Sequence, residues 1–458
     1  MADSVFPLRC VVQQYAWGKI GEASEVAQLL ASSGDFGDIA HDQPYAEVGS
    51  KLWQFCVALS FYPEMLKVEV MWWYKKYPII GSRAKLWMGT HPKGEAQIAD
   101  DRIRPSKLSH WIVDNAQCLG ERVQARFGDK LPFLFKVLSV NQSLSIQAHP
   151  NKENAAYLHA HHPEHYPDAN HKPEMAIALT SFLGLCGFRP LCEILDFLDG
   201  VPELKTVVGP EAATALHKSV GDEEQVANAL KDCFSNVMMC EKALFQRQLT
   251  ELVARVEQEV ASGGDVSRSN GHLLLKLHKQ FPGDVGCFVI YFLNVLQLQP
   301  GDAMFLGANE PHAYLYGDCI ECMACSDNTV RAGLTSKFID VPTLCTMLNY
   351  TPAPPESKVF CSRFDPDDPF AKIYDPPVPD FTVICLEIPA GTLAYTIAAV
   401  NSASIVITIR GVAVGIAEGR PPLEFKRGKV MFISAGKSVT LSIQPKTDML
   451  MFRACCLL

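Results

Sequence analysis

One short segment, residues 143–149, constrains the fold more than any other, because polar and apolar residues alternate along its whole length. Successive side chains of a β-strand point to opposite faces of the sheet. As a strand, this segment has an apolar face that can pack on a core and a polar face formed by Ser143, Ser145, Gln147 and His149. We therefore predict a strand whose polar face lines the interior of a β-barrel.

The polar face of this strand carries two side chains that can bind a metal ion. Gln147 and His149 lie two residues apart and could hold one ion together, and Glu174 in the next segment could add a carboxylate. His312, directly after Pro311, is a fourth candidate. The alternative is that Gln147 and His149 only line a polar core.

A group of histidines in residues 157–167 is a weaker metal candidate. This stretch is polar and flanked by proline, which is typical of an exposed loop or a helix end. We therefore leave its histidines out of the predicted metal site; they are His159, His161, His162 and His165.

The composition is that of a globular protein with more than one domain. With 458 residues, the chain is long for a single core, and two or three domains are expected. The net charge of −9 is spread along the chain, which disfavours a nucleic-acid partner. The 16 cysteines lack the spacing of a zinc ribbon, so we expect reduced, mostly buried thiols in a cytoplasmic protein.

The two ends of the chain carry little indication of a targeting signal. The first residues contain no basic region followed by an apolar one, so no secretory signal is expected. The last four residues, 455–458, fit a prenylation motif, but no basic segment precedes them. We prefer to interpret them as the apolar end of a final strand.

The periodicity of apolar residues changes along the chain. Helical spacing from 191 to 281 predicts a helical insertion domain. Strands are predicted to return at 287–298. Beyond Phe381, short β runs separated by glycine recur roughly every ten residues, which is typical of a β-sandwich or jelly roll.

Two cations lie in positions that need an explanation. Lys136 is inside an apolar run, 131–138, and needs an anionic partner there unless it reaches solvent at a sheet edge. Arg331 follows a turn at Asp327 and Asn328 and could hold a phosphate or stabilise a developing oxyanion. A structural pair between Arg331 and a carboxylate is the alternative.

Several long motifs together resemble the type I mannose-6-phosphate isomerase (phosphomannose isomerase) family over nearly the whole chain. They cover residues 13–18, 86–92, 131–140, 145–154, 170–179, 186–190 and 311–341. The resemblance implies a mainly β protein with α: a catalytic domain built as a cupin-type β-barrel or jelly roll, an inserted α-helical domain and a second, C-terminal β-barrel domain. The implied boundaries are 1–190 and 282–341 for the catalytic domain, 191–281 for the helical domain and 342–458 for the C-terminal domain.

The same resemblance implies the site residues. One zinc ion per chain would be held by Gln147, His149, Glu174 and His312, and Arg331 would be the catalytic arginine. The positions that match the family's substrate pocket are Lys136, Ser145, Lys172, Tyr314, Glu321, Lys337, Trp17 and Glu47.

The implied reaction interconverts mannose-6-phosphate and fructose-6-phosphate and supplies mannose for GDP-mannose synthesis and glycosylation. A proton must move from C2 to C1 through an enediolate, which requires a polarised carbonyl and stabilised negative charge. Zinc with an open coordination position and Arg331 would provide both, while the proton carrier stays open among Glu321, Lys136 and a histidine. We expect a monomer whose partner is a small sugar phosphate rather than a nucleic acid or a membrane, with lysines holding the phosphate because no P-loop pattern is present.

The segment 48–85 departs from the family pattern. In the family, the position of Glu47 runs directly into the motif that begins at Leu86, whereas this chain inserts an apolar stretch rich in tryptophan. Charged residues and Pro63 interrupt the stretch before it reaches the length of a membrane span. We expect a poorly packed insertion, for example from an alternative splice form, that displaces Glu47 and Trp87.

Two other functions fit parts of the sequence. A catalytically inactive cupin that binds a sugar phosphate as a sensor would tolerate the insertion, but all four ligand positions and Arg331 are retained. An iron-dependent oxygenase would prefer two histidines and one carboxylate, whereas a glutamine ligand suits a metal without redox chemistry.

Overall fold

The computed structural model describes residues 4–33 and 84–458, which form two compact units. The terminal unit contains the described residues of Met1–Ser139, Asp318–Cys325 and Cys361–Leu458, and the central unit consists of Val140–Gly317 and Ser326–Phe360. Glu47 and nearly all of the predicted insertion lie outside the described residues. Within the described residues, no helix has the length and apolar character needed to cross a membrane.

The strands of the described residues are interspersed with helices up to β13 and then follow one another without an α-helix to the end of the chain. They are β1 (Val5–Arg9), β2 (Val11–Gln13), β3 (Lys85–Met88), β4 (Gln97–Ile98), β5 (Phe133–Val140), β6 (Ile146–Ala148), β7 (Glu174–Ala178), β8 (Phe182–Phe188), β9 (Leu293–Leu298), β10 (Ala303–Leu306), β11 (His312–Ala324), β12 (Val330–Gly333), β13 (Val359–Phe360), β14 (Arg363–Phe364), β15 (Ala371–Tyr374), β16 (Thr382–Ile388), β17 (Ala394–Ile397), β18 (Ser404–Arg410), β19 (Val412–Ile416), β20 (Leu423–Lys426), β21 (Val430–Ile433), β22 (Val439–Ile443) and β23 (Met449–Cys455).

The α-helices of the described residues are concentrated between β8 and β9. In chain order they are α1 (Glu25–Ser33), α2 (Leu108–Asp114), α3 (Glu121–Phe127), α4 (Lys152–His161), α5 (Leu191–Gly200), α6 (Pro202–Val208), α7 (Pro210–Lys218), α8 (Glu223–Met239), α9 (Lys242–Ala261), α10 (Gly271–Gln280), α11 (Gly286–Val289) and α12 (Val341–Met347). Local sequence explains where α8 begins: Asp222 caps the helix by accepting hydrogen bonds from the backbone N–H groups of Glu224 and Gln225.

The terminal unit contains two antiparallel sheets that share one apolar core. The larger sheet has the strand order β14-β15-β16-β23-β18-β21-β1-β4, and the smaller one is β17-β22-β19-β20. Their common core includes Met451 from the larger sheet and Phe425 and Leu441 from the smaller one. This two-sheet arrangement agrees with the sandwich that the glycine-separated strands predicted. Cys455 is fully buried at the end of β23, as expected for an apolar strand end.

The first strand of the chain completes the larger sheet. Val5 lies opposite Ile433 in β21, and Leu8 lies opposite Ile98 in β4. Nothing in the spacing of residues 5–9 distinguishes a strand that pairs locally from one that pairs with the other end of the chain. The association of the two chain ends is therefore information that only the structure provides.

In the same unit, β3 lies between β2 and β5. Trp87 of β3 is paired with Val11 on one side and with Lys136 on the other. Trp87 packs in a small buried cluster with Leu134 and Met323. Trp87 is therefore held within a sheet in spite of the segment that precedes it.

The central unit contains the antiparallel strand path β12-β6-β11-β8-β9 and the helical insertion. β8 and β9 are neighbours, with Phe182 opposite Leu298 and Phe188 opposite Leu293. Helices α5 to α10 leave from the end of β8 and return to the start of β9, so a whole domain is inserted where two strands lie side by side. The helices share one apolar core with these strands, and the inserted helical domain that the periodicity predicted is confirmed.

One predicted strand was wrong in its first part. Residues 287–289 belong to α11, and the strand begins only at Leu293. The run from Cys287 to Phe292 is fully buried, and an unbroken apolar run does not distinguish a buried helix from a buried strand. Asp284 favours the helical turn because its carboxylate accepts a hydrogen bond from the backbone N–H of Gly286 at 2.7 Å.

Candidate metal centre

Three neighbouring strands place three of the predicted site residues in one row. Gln147 in β6 lies opposite His312 in β11 on one side and opposite Arg331 in β12 on the other. Residues that lie directly opposite each other in antiparallel strands project to the same face of the sheet. The row therefore runs His312, Gln147, Arg331, with the arginine next to the amide.

The other two predicted ligands flank this row at strand ends. His149 follows the last residue of β6 and is two residues beyond Gln147, and its backbone carbonyl accepts a hydrogen bond from Asn309 at 2.8 Å. Glu174 is the first residue of β7, which pairs with β10 through Glu174 and Leu306. Strand ends leave room for an ion that the middle of a packed sheet does not.

His149, Glu174 and His312 form a buried cluster whose ligand atoms lie within 4.8 Å of one another. Nε2 of His149 is 3.4 Å and Nε2 of His312 is 3.5 Å from Oε2 of Glu174. None of these three buried atoms has a hydrogen-bond partner of ordinary geometry. Tetrahedral zinc with ligand bonds of about 2.05 Å needs ligand atoms about 3.3 Å apart. The cluster therefore fits a zinc ion in donor type and in the distances from both histidine nitrogens to Oε2 of Glu174.

Backbone carbonyls fix the ring proton of each histidine on Nδ1, the nitrogen that does not face the cluster. Nδ1 of His149 lies 2.7 Å from the carbonyl oxygen of Asn328, and Nδ1 of His312 lies 2.8 Å from that of Glu310. A carbonyl only accepts, so Nδ1 of each ring is protonated and Nε2 presents its lone pair to the cluster. Both imidazoles are thus set in the tautomer that binds a metal.

The charge states of the cluster also suit a metal. Burial, aided by the positive charge of Lys172, lowers the pKa of His149 to about 4, so the ring is neutral near pH 7. Burial by itself would raise the pKa of Glu174, but Lys172, His149 and His312 hold it well below its usual range. A neutral His149 ring and an ionised Glu174 carboxylate can bind a cation at neutral pH without first losing a proton.

Lys172 supports the carboxylate from the other side. Its Nζ lies 3.3 Å from Oε1 of Glu174 and 3.5 Å from Oγ1 of Thr329. Glu174 therefore turns Oε1 to the ammonium and keeps Oε2 for the histidines. The side chain of Lys172 is 13% exposed, so its charge is close to both the cluster and the solvent.

Arg331 is half-buried and carries a charge that no acid of the described chain neutralises. No hydrogen bond or ion pair links its guanidinium to any residue in 4–33 or 84–458, and burial lowers its pKa. The alternative of a structural arginine–carboxylate pair is therefore wrong for these residues. A desolvated guanidinium without a carboxylate is suited to an anionic ligand.

Three further predicted residues of the central unit lie at different depths. Ser145 is half-buried just before β6, and Tyr314 is buried in β11, where its ring meets the ring of Phe182 edge-on at 5.4 Å. Lys337 is exposed in the loop after β12. The histidine group lies at the end of α4, where His161, His162 and His165 are exposed, as the loop or helix-end interpretation predicted.

The remaining predicted residues belong to the terminal unit. Nζ of Lys136 lies 2.6 Å from Oε2 of Glu321, and both side chains are buried. This contact confirms that Lys136 has an anionic partner and does not reach solvent at an edge. The half-buried Trp17 ring stacks on Tyr15 at 5.1 Å, with Lys85 above both rings. Glu47 lies outside the described residues.

Residues that orient the histidines were not predicted from the sequence. Asn328 is fully buried, and its Nδ2 donates to the backbone carbonyls of Asp168 at 2.6 Å and of Asn170 at 2.9 Å. Glu310, whose backbone carbonyl is the partner of His312, has its Oε1 2.5 Å from Nζ of Lys358. The turn at Asp327 and Asn328 was visible in the sequence, but the residues that a turn contacts far away along the chain were not.

The fold and the site define a metal-binding β protein with an inserted helical domain. Models of two domains of one family match this chain. The model described as phosphomannose isomerase type I, catalytic domain, matches residues 5–54 and 77–191, and the model of the helical insertion domain matches 207–293. The unmatched residues between 54 and 77 lie within the segment 48–85 that departs from the family pattern.

Full-length relatives agree with the domain models. Mannose-6-phosphate isomerase of Mus musculus is 54% identical over 456 residues, covering 99% of both chains, and that of Homo sapiens is 52% identical over 459 residues, covering 100% of both. A crystal structure of mannose 6-phosphate isomerase bound with zinc and yttrium aligns with a TM-score of 0.75 at 28% identity, covering 100% of both chains. The chain belongs to the type I phosphomannose isomerase family and is an enzyme of that family. The predicted fold class is confirmed.

Proposed function

We propose that this enzyme is a zinc-dependent aldose–ketose isomerase that interconverts mannose-6-phosphate and fructose-6-phosphate through an enediolate. The buried cluster of His149, Glu174 and His312 carries this proposal, because its three unpaired ligand atoms match the donors and the spacing of a zinc site. The names of the full-length relatives supply the substrate.

We assign Gln147 as the fourth ligand and expect one zinc ion per chain. Gln147 is opposite His312 and two residues before His149, which supports a place beside the cluster. Two histidines and one carboxylate alone would also suit an iron oxygenase, but a neutral amide oxygen favours an ion without redox chemistry. The similar crystal structure of mannose 6-phosphate isomerase bound with zinc and yttrium also supports zinc as the metal.

The reaction needs positive charge where the enediolate develops negative charge. Zinc, when bound, supplies Lewis-acid polarisation of the sugar oxygens. Arg331, which lies opposite Gln147 in the neighbouring strand, adds a guanidinium, and because no acid of the described residues pairs with it, its full charge is available to the substrate. We assign it as the catalytic arginine.

Other parts of the assignment remain proposals. We propose Ser145, Lys172, Tyr314 and Lys337 as substrate-binding residues of the central unit, with Lys172 the best supported because it lies beside Glu174. Roles in substrate binding for Trp17, Glu47, Lys136 and Glu321, the cupin description and the monomeric state stay predictions. We also propose a cytoplasmic enzyme that supplies mannose for GDP-mannose synthesis, and the free thiols of the described cysteines suit a reducing compartment.

The test is the product formed by the purified chain. Mannose-6-phosphate should be converted to fructose-6-phosphate, whereas mannose without the phosphate should react far more slowly, because the cationic side chains would have no dianion to hold. A folded, zinc-containing chain that binds mannose-6-phosphate without converting it would overturn the proposal and favour the sensor interpretation.

A further inference from the structure

The position of Arg331 depends on a very short strand. β12 has four residues, and its one strand partner within the described parts of the chain is β6. The guanidinium has no partner in residues 4–33 or 84–458 that would hold it directly. The backbone of β12, and whatever holds its two ends, therefore sets where the charge of Arg331 lies.

Asp284 holds the end of β12. Its Oδ1 accepts hydrogen bonds from the backbone N–H of Leu334 at 2.6 Å and of Gly286 at 2.7 Å, and its Oδ2 accepts one from Thr335 at 3.1 Å. Leu334 has a φ of 52°, a conformation that is costly for a leucine and needs support. Gly333 lies so close to Gly286 that a Cβ added to Gly333 would be 2.5 Å from the Cα of Gly286. The carboxylate thus fixes the chain at the point where it leaves the strand.

Asp168 holds the start of the same strand. Its Oδ2 accepts a hydrogen bond from the backbone N–H of Asp327 at 2.8 Å, and its backbone carbonyl accepts one from Nδ2 of Asn328 at 2.6 Å. The carbonyl of Asn328 in turn accepts the Nδ1 hydrogen of His149 at 2.7 Å. Asp168 is therefore connected both to the strand of Arg331 and to a ligand of the metal cluster.

We infer that Asp284 and Asp168 are positioning residues of the isomerase, which hold the two ends of β12 and so place Arg331 for the reaction. Asp168 also orients His149 through Asn328, whereas Asp284 makes no hydrogen bond or ion pair with the cluster of His149, Glu174 and His312. The inference rests on the proposed function, because it assigns these residues to the isomerisation. It predicts different effects for the two aspartates.

A double-mutant cycle tests the inference. We expect Asp284→Ala to lower kcat about tenfold in the chain that carries Arg331, and by less than about twofold in the Arg331→Ala chain, with unchanged zinc content in both. Asp168→Ala should lower kcat and also weaken zinc binding by roughly tenfold, measured by competition with a chromogenic chelator. Asp222→Ala is the matched control, since Asp222 accepts backbone N–H groups at the start of α8 in the same unit and should leave kcat and zinc binding unchanged.

Each outcome bears on the inference. An equal loss of kcat from Asp284→Ala with and without Arg331, or no loss at all, would show that Asp284 does not act through Arg331. If Asp284→Ala fails to fold by circular dichroism, Asp284→Asn keeps one acceptor oxygen and should give a smaller loss that still depends on Arg331. A wild-type chain that does not isomerise mannose-6-phosphate would instead reject the proposed function, so the two failures are distinguishable.

Discussion

Replacing His312 by alanine is expected to remove zinc binding and isomerisation together. The ring is fully buried, and its Nε2 faces Oε2 of Glu174 at 3.5 Å. Loss of an outer partner of a metal ligand typically costs 10–100-fold in affinity, so we expect loss of a ligand itself to cost more than about 100-fold. The measurement is the zinc content after dialysis, by elemental analysis, beside the rate of fructose-6-phosphate formation.

The matched control for this variant is His272→Ala. His272 is an exposed histidine of α10 in the same unit, and its loss should change neither zinc content nor rate. Because removal of a buried ring also leaves a cavity, the melting temperatures of the metal-free proteins should be compared. Full zinc content and activity in a folded His312→Ala protein would show that the ligand set is wrong.

Replacing Arg331 by alanine is expected to lower kcat while zinc stays bound. Arg331 lies opposite Gln147 in the row of paired residues, and its guanidinium makes no hydrogen bond or ion pair with the three clustered ligands. Removal of one group that stabilises developing negative charge typically costs about 10²–10³-fold in kcat, and we expect a loss in that range. The measurement is steady-state kinetics at high enzyme concentration, with zinc content determined on the same sample.

A second arginine variant separates a catalytic effect from a general loss of charge. Arg268 is exposed in the helical insertion, and Arg268→Ala should retain the wild-type kcat. Stability should change little in Arg331→Ala, because Arg331 has no partner among the described residues that would be left unpaired. An Arg331→Ala enzyme that keeps its kcat would reject the role assigned to this residue.

Part of the metal site could be predicted from the sequence, because the residue pattern around a position shows what kind of environment its side chain needs. The alternation of residues 143–149 predicted a strand, and the structure forms only its middle part as β6, Ile146–Ala148, with Gln147 at its centre and His149 just beyond its end. The apolar run around Lys136 predicted either an anionic partner or a position at a sheet edge, and the structure shows the partner, Glu321. In each case, burying a polar face or a charge is costly without polar or charged partners, so the sequence alone indicated that such partners are needed.

What could not be predicted depends on contacts between distant parts of the chain. The pairing of β1 with β21 and the support of His149 by Asn328 and Asp168 join residues far apart in sequence, and no periodicity records them. The helix at 286–289 was misassigned because its residues are buried on every side. The sequence left open a structural pair between Arg331 and a carboxylate, and the structure shows no such pair within the described residues.

The most direct measurement for the whole account is the rate of mannose-6-phosphate isomerisation by the full chain before zinc removal, after chelation and after zinc is restored. We expect the rate to disappear with the metal and to return in proportion to added zinc, reaching its maximum near one ion per chain. A rate that survives complete removal of the metal, or that returns with ferrous iron but not with zinc, would contradict it.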